Sequence, residues 1–295
     1  MTASVDEKRT AFWRAVVAEV GALPLDVQLQ AVPRYSDDRV AISILSFRGI
    51  GNAEVACWMA RPRGEAIGVL VQFPAYATVL FPPVGYAEQG MITVSASVRG
   101  HHGSEISGVG FPGLLIEGLP SADTYIYRGV YADALRAVTL VARLIGHGLP
   151  LVLMGQSQGA ALSLVAAGLT GQAVAVAADV PFLCSIREAL ALTTAFPYRE
   201  LSAYLRDRPD EAEEALRTVD IFDVLGFAPQ VTCPVLMSIG TRDPVTPLAA
   251  TRALARALPL VEAIEYEGAG HEGGGMAHRV LQTKWILNQF KNARL

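Results

Sequence analysis

The sequence carries few charged residues and no run of positive ones. Charged residues make up 18% of the 295 residues, and 24 Lys and Arg against 28 Asp and Glu leave a formal charge of −4. Because no block of Lys and Arg could follow a phosphate backbone, we do not expect a nucleic acid as a partner. Disorder is excluded as well, since 52% of the residues are apolar and can bury a large core.

Cysteine is also scarce. Cys57, Cys184 and Cys233 are odd in number, far apart and set among apolar residues. Such spacing fits neither a disulfide framework nor a metal site. We therefore expect three small buried thiols.

Long apolar segments are present, but neither of the two longest has the composition of a membrane span. Residues 66–87 and 144–178 contain no Asp, Glu, Lys or Arg. Three prolines interrupt the first segment, and six glycines, Pro150 and a polar Gln-Ser-Gln interrupt the second. Strands of a parallel sheet, covered by helices on both faces, explain this hydrophobicity better. The charges between residues 6 and 14 argue against a signal peptide, so we expect a cytoplasmic protein without a membrane partner.

The chain changes from β-hairpins to alternating strands and helices near residue 64. Helical spacing of apolar residues predicts an N-terminal helix over 4–20, and β-rich runs predict strands over 27–32, 40–47 and 54–60. Further strands are predicted over 67–73, 91–98, 151–154, 173–178, 235–239 and 263–266. Helices are predicted between and after them over 127–145, 157–169, 247–257 and 277–289. This order indicates an α/β fold, with one domain over 1–295 and a doubly wound, mostly parallel sheet with antiparallel N-terminal strands.

Two segments do not fit this alternation. Residues 101–124 form a Gly- and Pro-rich connection that is longer than usual, so we expect it to be functional. Residues 181–230 read as a helical insertion, with an acidic run at 207–214 that is typical of a solvated helix face. The insertion could form a cap over the carboxyl edge of the sheet, where open α/β sheets bind their ligands.

One sequence motif indicates a catalytic residue. Residues 155–159 read Gly-Gln-Ser-Gln-Gly and connect a predicted strand to an Ala-rich predicted helix. A sharp strand-to-helix turn needs glycine on both sides of the serine, because strand and helix then approach without a Cβ clash. The alternative is an ordinary Gly-rich turn whose serine caps the helix. Because a strand and a helix flank the motif, we interpret Ser157 as a nucleophile.

A serine nucleophile in this setting predicts an acid and then a histidine later in the chain, each after a strand. Asp243 follows the strand at 235–239, and His271 follows the strand at 263–266 within a Gly-rich segment. Asp179 is the alternative acid, although it is also explained as a turn residue before a Val-Pro pair.

The four remaining histidines are weaker candidates for the base. His101 and His102 lie on a strand-end loop and could approach the site, but they precede Ser157 in the chain. His147 lies near the end of a predicted helix and is expected to interact with the helix dipole. His278, at the start of the last helix, has no special setting in the sequence.

The residue chemistry gives each candidate a role. A serine hydroxyl is a weak nucleophile, so His271 would remove its proton during attack on an acyl carbonyl and later protonate the leaving alcohol. Asp243 would fix the tautomer of the imidazole. The oxyanion would bind two backbone N–H groups, one from Gln158 and one from Ala75 or Tyr76, because the residue before those two is proline.

Several long blocks, in one order between about residues 26 and 272, resemble the acetyl xylan esterase and cephalosporin C deacetylase family, carbohydrate esterase family seven, of the α/β-hydrolases. The blocks are Val-Arg-Gly at 98–100, Tyr-Arg-Gly-Val-Tyr-Ala-Asp-Ala at 127–134, the serine motif, Asp-Val-Pro-Phe-Leu-Cys at 179–184, residues 198–204, Cys-Pro-Val-Leu at 233–236 and Gly-His-Glu at 270–272. The resemblance implies the α/β-hydrolase fold, Ser157, Asp243 and His271 as the catalytic triad, and Tyr76 and Gln158 as the oxyanion hole. It further implies a serine carboxylesterase that removes acetyl groups from small acetylated sugars and related alcohols without a metal or other cofactor. Members of the family commonly assemble as hexamers, so a homo-oligomer is implied as well.

The sequence departs from the family pattern at two motifs. Where the family usually has His-Gly-Tyr, residues 74–76 read Pro-Ala-Tyr, and where it has Arg-Gly-Gln, residues 99–101 read Arg-Gly-His. The loop at 79–83, Val-Leu-Phe-Pro-Pro, is unusually apolar. The alternative hypotheses are therefore hydrolysis of a less polar or bulkier ester, acyl transfer or peptide hydrolysis, and a catalytically silent binding scaffold.

Overall fold

A computed structural model describes residues 4–293, and within them nine strands form one sheet. The strands are β1 (Gln28–Ala31), β2 (Val40–Arg48), β3 (Glu54–Pro62), β4 (Gly68–Phe73), β5 (Met91–Ser95), β6 (Leu151–Gln156), β7 (Ala175–Asp179), β8 (Val235–Gly240) and β9 (Val261–Tyr266). Their order across the sheet is β1-β2-β3-β5-β4-β6-β7-β8-β9. The pairs from β1 through β3 to β5 are antiparallel, and the pairs from β5 to β9 are parallel. All the predicted strands and the mixed character of the sheet are confirmed.

Helices cover both faces of this sheet. They are α1 (Val5–Ala22), α2 (Val84–Ala87), α3 (Ile126–Leu140), α4 (Gln158–Thr170), α5 (Ile186–Leu192), α6 (Tyr198–Asp207), α7 (Ala212–Phe222), α8 (Leu248–Ala257) and α9 (Gly275–Asn292). The predicted helix at 127–145 is present, but its last turn, Val141–Ile145, is a π-helix. The short α2 was not predicted, because two prolines precede it and it lasts only four residues. Residues 1–3 and 294–295 of the predicted domain lie outside the described residues.

The central strands are buried on both faces, which explains the uncharged segments of the sequence. In β4, Val69 and Val71 belong to the large core shared with α3 and α4, whereas Leu70 belongs to a second cluster with Ile286 and Phe290 of α9. This alternation follows from the period of two in a strand. None of the helices in the described part of the chain combines the length and hydrophobicity of a bilayer span.

The N-terminal helix is fixed at its start and along its length. Ser4 and Glu7 form a reciprocal capping box, in which each side chain accepts a hydrogen bond from the backbone N–H of the other residue. Trp13 is buried, packs edge-on against Phe222 of α7 and donates from its indole nitrogen to the carbonyl oxygen of Ile221 at 3.0 Å. Helix α1 therefore joins the insertion to the rest of the core.

The predicted helical insertion contains α5, α6, α7 and a 3₁₀ segment at Val224–Gln230. It begins shortly after β7 ends, so it starts at the carboxyl edge of the sheet. Its helix α6 reaches the loop that follows β4, where Glu200 contacts Tyr76. The insertion thus borders the region in which the sequence places the site.

The three cysteines are free thiols, and two of them are buried as predicted. Cys57 and Cys184 are buried and Cys233 is half-buried. Burial raises the pKa of the Cys57 thiol to about 12, so this side chain behaves as a small apolar group.

Candidate active site

Ser157 lies on a tight turn between β6 and α4, as the sequence motif predicts. Its backbone has φ 56° and ψ −117°, a conformation that a residue with a side chain rarely adopts. The turn is compact because a Cβ atom on Gly155 would lie 2.2 Å from the carbonyl carbon of Gly159, and one on Gly159 would lie 2.3 Å from the carbonyl oxygen of Phe73. Strand and helix therefore approach so closely that only glycine fits at either position. The conformation presents the serine at the carboxyl edge of the sheet.

His271 and Asp243 are in contact. Nδ1 of His271 lies 2.8 Å from Oδ2 of Asp243, and this carboxylate also accepts hydrogen bonds from the backbone N–H groups of Val245 and Thr246 and from the Thr246 hydroxyl. Burial raises the pKa of Asp243, but the hydrogen bond and charge of His271, together with Thr246, outweigh it and hold the pKa below its ordinary value. The ionised carboxylate accepts the Nδ1–H, so Nε2 of His271 is left to accept a proton.

The histidine loop is tied to the serine turn. The side-chain amide of Gln156, the residue before Ser157, donates to the carbonyl oxygen of His271 at 2.9 Å. A Cβ atom on Gly240, at the end of β8, would lie 2.1 Å from the carbonyl oxygen of Gly270. The loops that carry Asp243 and His271 are therefore closely packed, and the second is hydrogen-bonded to the turn that carries Ser157.

Asp179, the alternative acid, has other partners. Its carboxylate accepts hydrogen bonds from Nε2 of His278 at 2.9 Å and from the side-chain amide of Gln282 at 2.8 and 2.9 Å. Nδ1 of His278 lies 2.9 Å from the hydroxyl of Tyr266. The expectation that His278 has no special setting is wrong, because this side chain is buried and links the end of β7 to α9 and β9. The sequence does not indicate this contact, because Asp179 and His278 are 99 residues apart.

Gln158 is the first residue of α4, where backbone N–H groups lack helical partners. Its side chain is fully buried, accepts a hydrogen bond from the Tyr127 hydroxyl at 2.7 Å and donates to Nε2 of His101 at 2.9 Å. Burial lowers the pKa of His101 to about 4, so the ring is neutral at pH 7 and one of its nitrogens can accept. His101 thus reaches the site as a contact of Gln158.

The motif at 99–101 has a buried ion pair at its first residue. The guanidinium of Arg99 donates to both carboxylate oxygens of Asp133 in α3 at 2.7 and 2.8 Å, and the backbone N–H of Arg99 donates to the same group. The pair fixes the start of the connection at 101–124, which carries His101.

Tyr76 lies on the loop after β4 with its ring buried. The ring packs against Phe111 and Phe196, with centroids 4.6 and 5.3 Å away. Its hydroxyl contacts the carboxylate of Glu200 and accepts the backbone N–H of Leu115 at 2.8 Å. Within residues 4–293, the backbone N–H groups of Ala75, Tyr76 and Gln158 donate to no other group of the protein. All three are therefore available to a ligand, and the alternatives for the second oxyanion donor remain open.

A cavity of about 690 Å³ lies beside the serine turn on the face covered by α9. Its walls include Pro74, Ala75, Gly155 and Gln156 together with the apolar loop at 79–83 and polar groups of α9. The Pro-Ala pair at 74–75 and the apolar segment at 79–83, which both differ from the family pattern, therefore border the same cavity. In the described part of the chain, no three His, Cys, Asp or Glu side chains converge as a metal site requires.

Comparison with known proteins identifies the family. The family described as Acetyl xylan esterase (AXE1) matches residues 2–289, nearly the whole chain. The chain belongs to the acetyl xylan esterase family. Membership confirms the resemblance stated from the sequence blocks.

Individual acetyl esterases are similar to this chain at moderate identity. The acetyl esterase Axe7A of Xylanibacter ruminicola is 26% identical over 262 residues, which cover 80% of this chain and 56% of Axe7A. The chain thus spans little more than half the length of this curated relative. The structure of an acetyl xylan esterase from a Paenibacillus species matches with a TM-score of 0.86 and 26% identity, over 94% of this chain and 93% of the other. Acetyl xylan esterase 1 of a Thermoanaerobacterium species matches with a TM-score of 0.83 and 23% identity, over 95% and 94%, and supports the α/β-hydrolase fold.

Sequence reasoning missed several residues that contact the predicted site residues. Thr246 had a local signal, because a hydroxyl three residues after an aspartate on a turn commonly bonds to it. Tyr127 and Glu200 had none, since their partners Gln158 and Tyr76 are 31 and 124 residues away. Their contacts follow from the tertiary fold.

Proposed function

We propose that the chain removes acetyl groups from acetylated sugars and related small alcohol esters by serine catalysis. The observation that carries the proposal is the position of Ser157 on the turn between β6 and α4, with His271, hydrogen-bonded to Asp243, on a loop that is tied to that turn. This arrangement supplies a nucleophile, a base and a group that orients the base, which acyl transfer requires.

The reaction runs in two steps that share the same groups. In the first, Oγ of Ser157 attacks the acetyl carbonyl while its proton passes to Nε2 of His271, and the backbone N–H of Gln158, with that of Ala75 or Tyr76, binds the oxyanion. The C–O bond to the alcohol then breaks as Nε2 returns the proton to the leaving oxygen. In the second, water attacks the acetyl-serine with His271 again as base, which releases acetate and restores the hydroxyl of Ser157.

Asp243 keeps the base in its productive form. Its carboxylate receives the Nδ1–H of His271 and stabilises the imidazolium that forms during each attack. The hydrogen bonds from Val245 and Thr246 hold this carboxylate ionised and in place.

Release of acetate from a panel of esters tests the proposal. The panel contains acetylated xylo-oligosaccharides, cephalosporin C, 4-nitrophenyl acetate and 4-nitrophenyl butyrate, each with the wild-type chain, Ser157→Ala and Ser163→Ala. Ser163 is the matched control, because it is a buried serine of α4 whose hydroxyl donates only to the carbonyl oxygen of Gly159. We expect acetyl esters to be hydrolysed faster than the butyrate, with activity kept in Ser163→Ala and reduced by at least about 10³-fold in Ser157→Ala.

Each other outcome identifies one alternative. Faster hydrolysis of the butyrate would contradict the acetyl preference and favour a bulkier acyl group in the cavity beside the apolar loop at 79–83. Transfer of the acyl group to an added alcohol or amine in place of water would favour an acyltransferase. Wild-type chain without activity on any ester would favour a binding scaffold.

Two finer properties belong to the same proposal. We propose activity on cephalosporin C and assembly as a homo-oligomer, a hexamer by family resemblance. Hydrolysis of cephalosporin C in the panel and the mass of the particle in light scattering after gel filtration test them separately.

A further inference from the structure

We propose that Glu200 is a positioning residue for the oxyanion site, because its carboxylate anchors the hydroxyl of Tyr76 and thereby fixes the backbone of the loop after β4. The inference rests on the proposed function, since it concerns the geometry of the groups that bind the oxyanion there.

The contacts of Glu200 join three separate segments. Oε2 and Oε1 of Glu200 lie 2.9 and 3.1 Å from the Tyr76 hydroxyl, which can donate its one proton to either oxygen. Oε2 also accepts the backbone N–H of Gly113 at 2.9 Å and, more weakly, that of Leu115 at 3.3 Å. The carboxylate on α6 therefore holds the loop after β4 and the connection at 101–124 at one point.

The hydroxyl of Tyr76 is bound on both sides. It donates to Glu200 and accepts the N–H of Leu115 at 2.8 Å, so its position is set by two hydrogen bonds of opposite sense. Burial and the neighbouring charge of Glu200 raise the pKa of Tyr76, and the hydroxyl therefore keeps its proton for this bond. Burial raises the pKa of Glu200 above its ordinary value, and the hydrogen bonds from Tyr76, Gly113 and Leu115 oppose that rise by stabilising the carboxylate. A hydrogen bond to a carboxylate is stronger than one to a neutral amide.

The backbone of this loop needs an external anchor. Ala77, directly after Tyr76, has φ 59°, in the left-handed region that residues other than glycine adopt at a cost. The ring of Tyr76 packs edge-to-face against Phe111 and Phe196, and this packing restricts the ring while the hydrogen bonds fix its hydroxyl. A loop held in this way keeps the N–H groups of Ala75 and Tyr76 in place, and such donors act within a narrow range of distance.

The alternative is a purely structural role, in which the same bonds stabilise the insertion and leave the reaction unaffected. The two roles differ in what changes when the charge is removed. Loss of a structural bond lowers stability without a specific effect on turnover. Loss of a positioning bond lowers kcat with little effect on KM, because the oxyanion forms in the transition state and not in the bound ester.

A double-mutant cycle in kcat separates these roles. The variants are Glu200→Gln, Tyr76→Phe and the double variant, with Glu214→Gln as the matched control, since Glu214 is an exposed glutamate of α7 in the same insertion. Each is assayed on 4-nitrophenyl acetate, and its fold is checked by circular dichroism and thermal unfolding. We expect Glu200→Gln and Tyr76→Phe each to lower kcat by roughly ten- to a hundredfold with KM within about threefold. We expect the double variant to resemble Tyr76→Phe, because Glu200→Gln weakens the same interaction that Tyr76→Phe removes.

Three results would overturn the proposal. The first is a folded Glu200→Gln with the kcat of the wild type, the second is a loss in the double variant equal to the product of the single losses, and the third is an effect confined to KM. If Glu200→Gln does not fold, Tyr76→Phe decides alone, since it removes one oxygen and leaves the ring in place. Failure of the proposed function is distinct from these results, because it would appear as wild-type activity that is absent or that survives in Ser157→Ala, and it would overturn both proposals.

Discussion

Oδ1 of Asp179 lies 2.9 Å from Nε2 of His278. This contact is one of two aspartate–histidine pairs that the described residues form at the carboxyl edge of the sheet. The other pair joins Asp243 and His271 at 2.8 Å. The side chain of His278 is 2% exposed and that of His271 is 29% exposed. His278 uses both ring nitrogens within the protein, on Asp179 and Tyr266. The geometry therefore favours His271 as the base and gives Asp179 a structural partner.

Replacement of each aspartate by asparagine distinguishes the two pairs. Asp243→Asn is expected to lower kcat by about 10³- to 10⁴-fold, because the amide no longer holds the productive tautomer of His271. Asp179→Asn is expected to keep kcat within about tenfold and to lower the free energy of unfolding by about 1–3 kcal/mol, because His278 and Gln282 lose a charged acceptor. Steady-state kinetics and urea unfolding of both variants measure this. A larger loss of kcat in a folded Asp179→Asn would reverse the assignment.

Substitution of Gly155 tests how tightly the serine turn is packed. In Gly155→Ala the new methyl group would lie 2.2 Å from the carbonyl carbon of Gly159, and backbone atoms cannot move aside as a flexible side chain can. We expect a loss of more than about 3 kcal/mol in the free energy of unfolding.

The control for this variant is Gly21→Ala in α1, where a new Cβ atom would meet nothing within 4 Å. Alanine is the better helix former, so this change is expected to add up to about 1 kcal/mol. Urea unfolding measures both. Equal stability of Gly155→Ala and the wild type would show that the turn is looser than described.

His101 makes the stability depend on pH. Its pKa is about 4 in the folded chain and about 6.5 when unfolded, so the unfolded chain binds more protons between these values. This contribution is fully present above pH 6.5 and is lost as the pH falls towards 4, to a total of about 3 kcal/mol. In His101→Gln the titrating group is absent, and the fall in unfolding free energy between pH 7 and 4.5 is expected to be smaller than in the wild type. Urea unfolding at both pH values checks this, and an identical fall in the two proteins would contradict it.

The strands and site residues that could be predicted from the sequence are those that their immediate neighbours in the chain indicate. The strands follow from short apolar runs, Ser157 from the two glycines around it, and Asp243 and His271 from their place after β8 and β9. The prediction of buried thiols is confirmed for Cys57 and Cys184, whose immediate neighbours are apolar, whereas Cys233 is only half-buried.

The parts that were missed depend on contacts between distant segments. Glu200 sits in a helix whose pattern reads as ordinary, and its partner Tyr76 is 124 residues away. His278 was given no special setting because Asp179 is 99 residues distant. His101 was expected to be able to approach the site, but its contact with the side chain of Gln158 follows only from the fold. A residue whose role is to hold another side chain in place is therefore difficult to recognise from its neighbours in the sequence.

Covalent labelling of the nucleophile tests the central claim most directly. A fluorophosphonate reacts with an activated serine, and intact-mass measurement counts the adducts on the wild type, Ser157→Ala and Ser163→Ala. The account predicts one adduct on the wild type and on Ser163→Ala, located by peptide mapping at Ser157, and none on Ser157→Ala. An adduct that persists in Ser157→Ala, or that maps to another residue in the wild type, would contradict it.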